Sequence, residues 1–434
     1  MPCIRNAWPS IADQVRRGRR PSLAAAMAVL VWAVSCPAHA QVTVRLLHVD
    51  SYAPDKTLKR KMNGRFKHEW VALQRQVLER NRKGEDLPCS SQLLKEAKWL
   101  MNYTGRAEDM AERLEDVRES LKLDDQSFAL EQSAEDGSWG GCHKEWFYRL
   151  HGSIDPMKEA LVRGERPRHP FKFLEPVDTP EELTAVFEAL LVSDIQGGGT
   201  NHRKELNLVL TGLAQMLFLP ELAALFPDDF PRDDLAEALR RFMDERWQDP
   251  ETGYWGAWYK VDGEIRKTND LSITFHAVRY RQDDPPRLDK MVNTLFATRR
   301  QRYPYGWLDS GTQNNHHAYD VVSLVSRSWP YMDDEQRARS SALLTLMVSR
   351  SLALSMDSDG SFHGDAYDSL AEAYYFGVSF LDEAGLFRPS KRYWTAMEIL
   401  DADKLRQRIE RNLLALNLDA PMSQAALRKL RATD

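Results

Sequence analysis

Cysteine, long apolar runs and alternating strand patterns are all scarce in this chain of 434 residues. Of its four cysteines, Cys3 and Cys36 fall in the first forty residues and leave Cys89 and Cys142, too few for a cysteine-type zinc site. In an exported protein those two thiols either form one disulfide between distant parts of the chain or stay unpaired. No apolar run is long enough to cross a bilayer comfortably. A Gly-x-Ser-x-Gly elbow and a His-Glu-x-x-His spacing are both absent, which removes two familiar hydrolytic signatures. The best strand-like segment is Val42 to Val49.

What is present begins with a leader. Arg16, Arg17, Arg19 and Arg20 precede a short apolar stretch from Leu23 to Cys36, and Ala38-His39-Ala40 supplies small residues where a signal peptidase reads. This predicts a cleaved signal peptide over residues 1–40 and a periplasmic or secreted destination. Ser35-Cys36 is a poor lipoprotein signal, because Ala33 stands where a larger aliphatic is usual, and Arg19-Arg20 is a weak twin-arginine one. Residues 1–40 carry five arginines and one aspartate, so the net charge of -5 becomes -5 minus +4, or -9. Such an acidic chain disfavours wholesale binding to nucleic acid or to anionic lipid, and no membrane attachment is expected after cleavage. The hydrophobic content of 43% suits a folded core, and the length suits one large domain or two ordinary ones.

Helical spacing dominates the rest. Ser90 to Leu100 and Arg106 to Leu121 carry apolar residues at helical intervals, and Leu206 to Leu219 is apolar almost all round. Thr179-Pro180-Glu181-Glu182 reads as a helix start, with a cap residue, proline in the first turn and acids behind it. A weak repeat runs through these helices. Asp136-Gly137-Ser138-Trp139-Gly140 resembles the stretch from Asp249 to Gly256, and Gly306-Trp307 and Asp359-Gly360-Ser361-Phe362 continue it. Trp255 and Trp307 are 52 positions apart, and Trp307 and Phe362 are 55 apart. A period of this size fits stacked helical hairpins, and the turn chemistry favours a closed ring. The fold expected is therefore all-α, an α/α toroid. Its divisions are a helical segment over residues 41–130, the toroid over 131–400 and a C-terminal helix over 401–434.

Four polar helix starts, Asn201-His202, Asn269-Asp270, Asn315-His316 and Gly364-Asp365, would then gather on one rim. Unpaired N–H groups at helix starts suit an anionic ligand. The densest of these starts is Asn314-Asn315-His316-His317-Ala318-Tyr319-Asp320, which follows the aromatic turn from Tyr303 to Trp307. Amide donors beside a histidine and a phenol suit proton abstraction next to a carboxylate: Asn314 or Asn315 would stabilise the anion while His316 or Tyr319 moves the proton. The same residues also suit a capped helix with ordinary polar neighbours. His363, Asp365, Asp368, Glu372, Tyr374 and Tyr375 form a second constellation, either a phenol with orienting carboxylates or core aromatics beside a solvated face. Asn269, Asp270, Ser272 and His276 form a third, weaker one. A metal held by His316, Asp320, His363 and Asp365 is a minor alternative, and no cofactor is expected. Trp255 and Trp307 could stack on sugars or pin hairpins together. Arg299, Arg300 and Arg302 could hold carboxylates or simply end a helix.

The run Asn314-Asn315-His316-x-x-Tyr319-Asp320, followed by Asp359-Gly360-Ser361-Phe362 and Tyr374-Tyr375, resembles the alginate-lyase type of polysaccharide lyase. The resemblance covers roughly residues 300–385. It implies an exported α/α toroid in which Asn315 neutralises a uronate carboxylate and His316 with Tyr375 or Tyr374 transfers protons. The chain departs from that family after Gly360, where His363-Gly364-Asp365-Ala366-Tyr367-Asp368 contains no arginine. The resulting expectation is β-elimination of a uronic-acid polymer, with catalytic Asn315, His316, Tyr319, Tyr374 and Tyr375. Asn314, His317, Trp255, Trp307, Asn269, Asp270 and Arg300 would bind an anionic polysaccharide or oligosaccharide. A glycoside hydrolase using paired carboxylates drawn from Asp136, Glu145, Asp270, Asp368 and Glu372, or a non-catalytic carbohydrate-binding protein, are the alternatives.

Overall fold

The computed structural model describes residues 54–122, 131–307 and 314–432, apart from the single positions 84, 86, 140, 368 and 419. The expected signal peptide, the strand-like segment Val42 to Val49 and Asp368 lie outside the described residues. Within them the chain is almost wholly helical, and no helix is long and apolar enough to cross a membrane.

An N-terminal layer comprises α1 (Pro54–Arg82), α2 (Pro88–Trp99) and α3 (Ala107–Ser120). Met62, Phe66, Leu73 and Val77 recur on one face of α1 and are buried. The last turn of α2 widens into a π-helical turn, Leu100–Thr104, which Gly105 ends in the left-handed region at φ 69°. Cys89 of α2 is disulfide-bonded to Cys142 across 53 positions of sequence, tying this layer to the segment that follows. Chain-entropy arguments put such a closure at about 4 kcal/mol. The Cys89→Ala/Cys142→Ala variant should therefore lose stability of that order, measured as a lowered denaturant midpoint; an unchanged midpoint would remove the cross-link from the list of stabilising features.

The next helices are α4 (Trp146–Gly152), α5 (Ile154–Val162), α6 (Pro180–Leu191), α7 (Arg203–Phe218) and α8 (Arg232–Arg241). The start of α6 follows its sequence: the Thr179 hydroxyl accepts the Glu182 N–H at 3.2 Å, with Pro180 in the first turn. Every residue of α7 except Lys204 is buried. Its burial is not all apolar, because Arg203, Asn207, Thr211 and Gln215 recur every fourth position and form a polar stripe along the helix.

A small sheet interrupts the helices. β1 (Val192–Ser193) pairs in parallel with β2 (Trp258–Val261), which pairs antiparallel with β3 (Glu264–Lys267). Asp262-Gly263 joins β2 to β3 with both residues at positive φ, the turn geometry that favours an Asp-Gly hairpin.

The remaining helices are α9 (Leu271–Arg279), α10 (Leu288–Thr298), α11 (Asn315–Ser328), α12 (Asp334–Leu354), α13 (Leu370–Glu383), α14 (Ala402–Ala415) and α15 (Pro421–Arg431). Side chains cap four of them: Asp270 for α9, Asn314 for α11, Asp333 with Gln336 for α12, and Ser369 for α13. Contacts run in succession: α4 packs on α7, α7 on α9, α9 on α11, α11 on α13, and α13 on α15. The last, α15, touches α5, and α5 touches α7. Against this series lie α6 and α8 on α7, α10 and α12 on α11, and α14 on α15.

The repeated turns have a common build. Gly137, Gly253 and Gly360 are all left-handed, and each stands two residues before a buried aromatic, Trp139, Trp255 and Phe362. In each the preceding aspartate accepts a turn N–H, from Ser138, Thr252 or Ser361. At Gly253 a Cβ would also lie 2.6 Å from the Arg287 carbonyl oxygen, so close packing as well as φ requires glycine there.

Candidate functional site

The starts of α7, α9, α11 and α13 are joined in order by specific contacts. Arg203 donates to Asp270 through Nε at 2.5 Å and Nη2 at 3.0 Å, with both residues buried. Asp270 also caps α9 by accepting the Ile273 N–H at 3.0 Å. The Leu271 N–H donates to the Pro304 carbonyl at 2.7 Å, which anchors the aromatic turn at this point. From that turn the Tyr303 ring stacks on His317 at 3.7 Å, and its hydroxyl donates to Asp320 Oδ2 at 3.1 Å. On α11, the Asn315 N–H donates to the Tyr367 hydroxyl at 2.9 Å, and the His316 ring stacks on Phe376 of α13 at 4.0 Å. Gly364-Asp365 is not a helix start, contrary to the sequence expectation. It lies in the turn before α13, because Ser369 accepts the Glu372 N–H and places the cap further along.

Inside these starts lies a polar cluster. His151 of α4, His276 of α9 and His316 of α11 all retain partial exposure, as do Tyr280, Tyr303 and Tyr375. Desolvation nevertheless dominates the titration of every one of them. Burial brings His151 and His316 down to about 3 and holds His276 well below its ordinary range. It raises Tyr375 to about 12 and keeps Tyr280 and Tyr303 well above their usual value. Desolvation therefore keeps these imidazoles and phenols in their neutral forms at neutral pH. Besides burial and the neighbouring histidines, the positive charge of Lys204 contributes to lowering all three imidazoles. Burial also holds the Asp320 carboxyl well above the carboxylate range, against the opposing Tyr303 hydrogen bond.

The cluster continues into α7. Asn207 donates to the Ser272 hydroxyl at 3.2 Å, while Asn207 Oδ1, His276 Nδ1 and Asp320 Oδ1 are buried with no hydrogen-bond partner. A separate cavity of about 330 Å³ lies toward the C-terminal ends of α9, α11 and α13, lined in part by Phe275, Arg279, Ser323, Arg327 and Glu383. Its cations are already paired, Arg279 with Glu383 at 3.0 Å and Arg327 with Asp284 at 2.6 Å. The cavity also holds a buried atom without a hydrogen-bond partner, Ser323 Oγ, but the polar cluster holds three, Asn207 Oδ1, His276 Nδ1 and Asp320 Oδ1, and is the better candidate site.

The expected site residues divide sharply. His316, Tyr375 and His317 belong to the cluster or touch it, and Asn314 caps α11 by accepting the His316 N–H at 3.0 Å. Asn315 does not face the cleft: its side chain is buried, donating to Ser355 Oγ at 2.9 Å and accepting from Ser351 Oγ at 2.7 Å. Asn315→Ala should therefore cost about 2 kcal/mol in unfolding free energy, because it removes two buried hydrogen bonds while Ser351 and Ser355 keep the bond to each other; a thermal melt unchanged within error would contradict that structural role. Tyr319 is also buried, with Arg279 and Lys429 over its ring at 5.3 and 5.9 Å. Tyr374 packs edge-on against Phe362 in the core, whereas Tyr375 keeps partial exposure and meets Phe376 edge-on.

Trp255 and Trp307 are pins rather than sugar platforms. Trp255 is 0% exposed and its indole donates to the Met243 carbonyl, while that of Trp307 donates to Leu295. Asp270 is committed to Arg203, Asn269 is buried beside it, and Arg300 is exposed just beyond α10. His363 is exposed and lies 3.2 Å from Asp357 Oδ1 through its Nε2. Among the described residues no three His, Cys, Asp or Glu side chains gather as a metal-holding group. Sequence reasoning passed over His151, Lys204 and Asn207, and it named Tyr303 only as part of the aromatic turn. The fourfold spacing from Arg203 to Gln215 was the available signal for the α7 stripe.

No protein-family model matches this chain, no curated protein is significantly similar to it, and no solved structure matches it.

Proposed function

We propose that the chain is an exported α/α-toroid protein that cleaves a uronic-acid polymer by β-elimination in the cleft beside His316. The ring architecture is supported by the succession of helix contacts from α7 through α15 and back by way of α5. Export is supported by the disulfide, which suits an oxidising compartment, together with the leader-like residues 1–40.

The observation that supports the reaction is the set of contacts that places His316 on Phe376 and beside the Tyr303 ring, with the Tyr303 hydroxyl on Asp320, where burial keeps the imidazole neutral. Elimination needs a neutral base for the proton next to the carboxylate, a cation for the charge that develops, and a donor for the leaving oxygen. His316 supplies the base and Lys204 the cation, a role that the buried Asn315 cannot take. Tyr375 keeps its proton at neutral pH and supplies the donor. The C5–H bond breaks with its proton going to His316. Its electrons form the C4=C5 double bond, and the departing O4 takes the Tyr375 proton.

A hydrolase would need two carboxylates flanking the bond. Of the four candidates described, Asp136 accepts from Ser138, Glu145 pairs with Arg106, Asp270 is held by Arg203, and Glu372 stands in the first turn of α13. The test is incubation of the mature protein with a panel of uronate polymers while the absorbance of the unsaturated product is followed. That chromophore is expected with at least one polymer. New reducing ends without it would favour hydrolysis, and neither signal would favour a binding protein.

A further inference from the structure

His316 and Asp320 stand four residues apart on α11 and rise from one face of the helix. His316 Nε2 lies 3.9 Å from Asp320 Oδ1, outside hydrogen-bond range, and Oδ1 is buried with no hydrogen-bond partner. The other oxygen, Oδ2, accepts from the Tyr303 hydroxyl at 3.1 Å, which fixes the plane of the carboxyl. Stacking on Phe376, with 15° between the rings, leaves the imidazole able to slide in its own plane. A shift of about 1 Å would bring Nε2 within range of Oδ1.

A fully buried carboxyl with one donor is an expensive feature for a helix interior, and among the described residues its unmet oxygen has one ion-pairing partner in range, His316. Hydrogen bonds of catalytic pairs are often long before the ligand binds. We propose that Asp320 is the positioning residue of the cleft: its Oδ1 accepts the Nε2 hydrogen of His316 and so presents the Nδ1 lone pair to the ligand. This rests on the reading of His316 as the base. When Nδ1 takes the substrate proton, the Nε2 hydrogen stays in place and the imidazolium charge faces the Asp320 carboxyl. Tyr303, bonded on the far side, keeps that carboxyl from rotating away. A second donor into the carboxyl also favours its ionised form, which the enclosed site otherwise resists.

The test is nitrogen-15 NMR of histidine-labelled mature protein, with His316→Gln used to assign the His316 signals. The unaltered protein should show His316 neutral and protonated at Nε2, with a slowly exchanging proton. In Asp320→Leu, of similar volume, that proton should exchange rapidly while the helical circular dichroism is unchanged. Tyr303→Phe should keep the same tautomer with a shifted resonance. Protonation at Nδ1 in the unaltered protein, or an Asp320→Leu spectrum identical to it, would overturn the pairing. If Asp320→Leu does not fold, the tautomer of the unaltered protein alone decides.

On a polymer that yields the unsaturated product, Asp320→Leu should lower kcat about 100-fold with KM within about twofold, as loss of proton-transfer geometry requires. Equal rates for the two proteins would remove Asp320 from the site. An Nε2 tautomer in a protein that yields no chromophore would leave the pairing standing and remove elimination. Chromophore with an Nδ1 tautomer would do the reverse.

Discussion

Asp270→Ala is expected to lower the unfolding free energy by about 5 kcal/mol, the largest effect of any single substitution considered. Two losses combine. The first is the ion pair with Arg203, whose guanidinium makes two hydrogen bonds to Asp270 and would remain charged and buried without its partner. Breaking a buried pair from one side typically costs about 3–5 kcal/mol, because the stranded charge keeps its desolvation penalty. The second is the cap of α9, since Asp270 Oδ1 accepts the Ile273 N–H, and such caps contribute about 1 kcal/mol. Asp270→Asn separates the two, because the amide oxygen keeps the cap while the charge is lost. Adding Arg203→Met to Asp270→Asn should then recover part of the stability by removing the stranded cation. The measurement is denaturant unfolding at low and at high salt. Because the pair is buried, the loss should persist in high salt. A loss below about 1 kcal/mol would mean that Arg203 finds another partner.

That pair also shows where a sequence stops being informative. Asn269-Asp270 was recognisable as a polar helix start, and Asp270 does cap α9. Thr179-Pro180 and Asn314 were equally legible, because caps are local and depend on a few neighbouring residues. The glycine-then-aromatic turns were legible as a repeat for the same reason. What a helix start does not reveal is which way each side chain points. Asn315 and His316 are adjacent, yet one reaches back to Ser351 and Ser355 while the other lies on Phe376. The catalytic role expected of Asn315 and the substrate-binding roles expected of Asp270, Trp255 and Trp307 depended on that missing direction.

The cleft itself was harder to read, because it is assembled from distant segments. His151 is one histidine in a seven-residue helix, and only the packing of α4 on α7 brings it to Lys204. In α7, the leucines and valine between Arg203, Asn207, Thr211 and Gln215 raise the average hydropathy and hide a stripe visible only at fourfold spacing. The β2–β3 hairpin was missed although Asp262-Gly263 carries the standard turn signal, since its strands are only four residues each.

Acidification should unfold this protein through its interior histidines before its carboxylates titrate. His151 and His316 fall from an ordinary 6.5 to about 3 in the folded chain because burial disfavours the imidazolium, and His276 is lowered for the same reason. Below pH 6.5 the unfolded chain therefore binds protons that the folded chain refuses. This contribution to stability is fully present above 6.5 and is lost as pH falls from 6.5 towards 3. Asp320 acts in the opposite sense, because burial raises its folded pKa and its contribution is restored as pH falls. One carboxyl offsets part of what three imidazoles withdraw. By linkage, His151 alone should remove about 2 kcal/mol between pH 7 and pH 5, somewhat less after solvent screening. Unfolding free energies at those two pH values should differ by less in His151→Gln than in the unaltered protein, by about that amount. An identical difference would show that His151 reaches solvent freely. The same linkage carries a consequence for binding. A polymer carboxylate entering the cleft would favour imidazolium there, so a bound uronate oligosaccharide should protect most at pH 5 and least at pH 7. A neutral oligosaccharide of equal length should protect equally at both, because it offers the histidines no counter-charge.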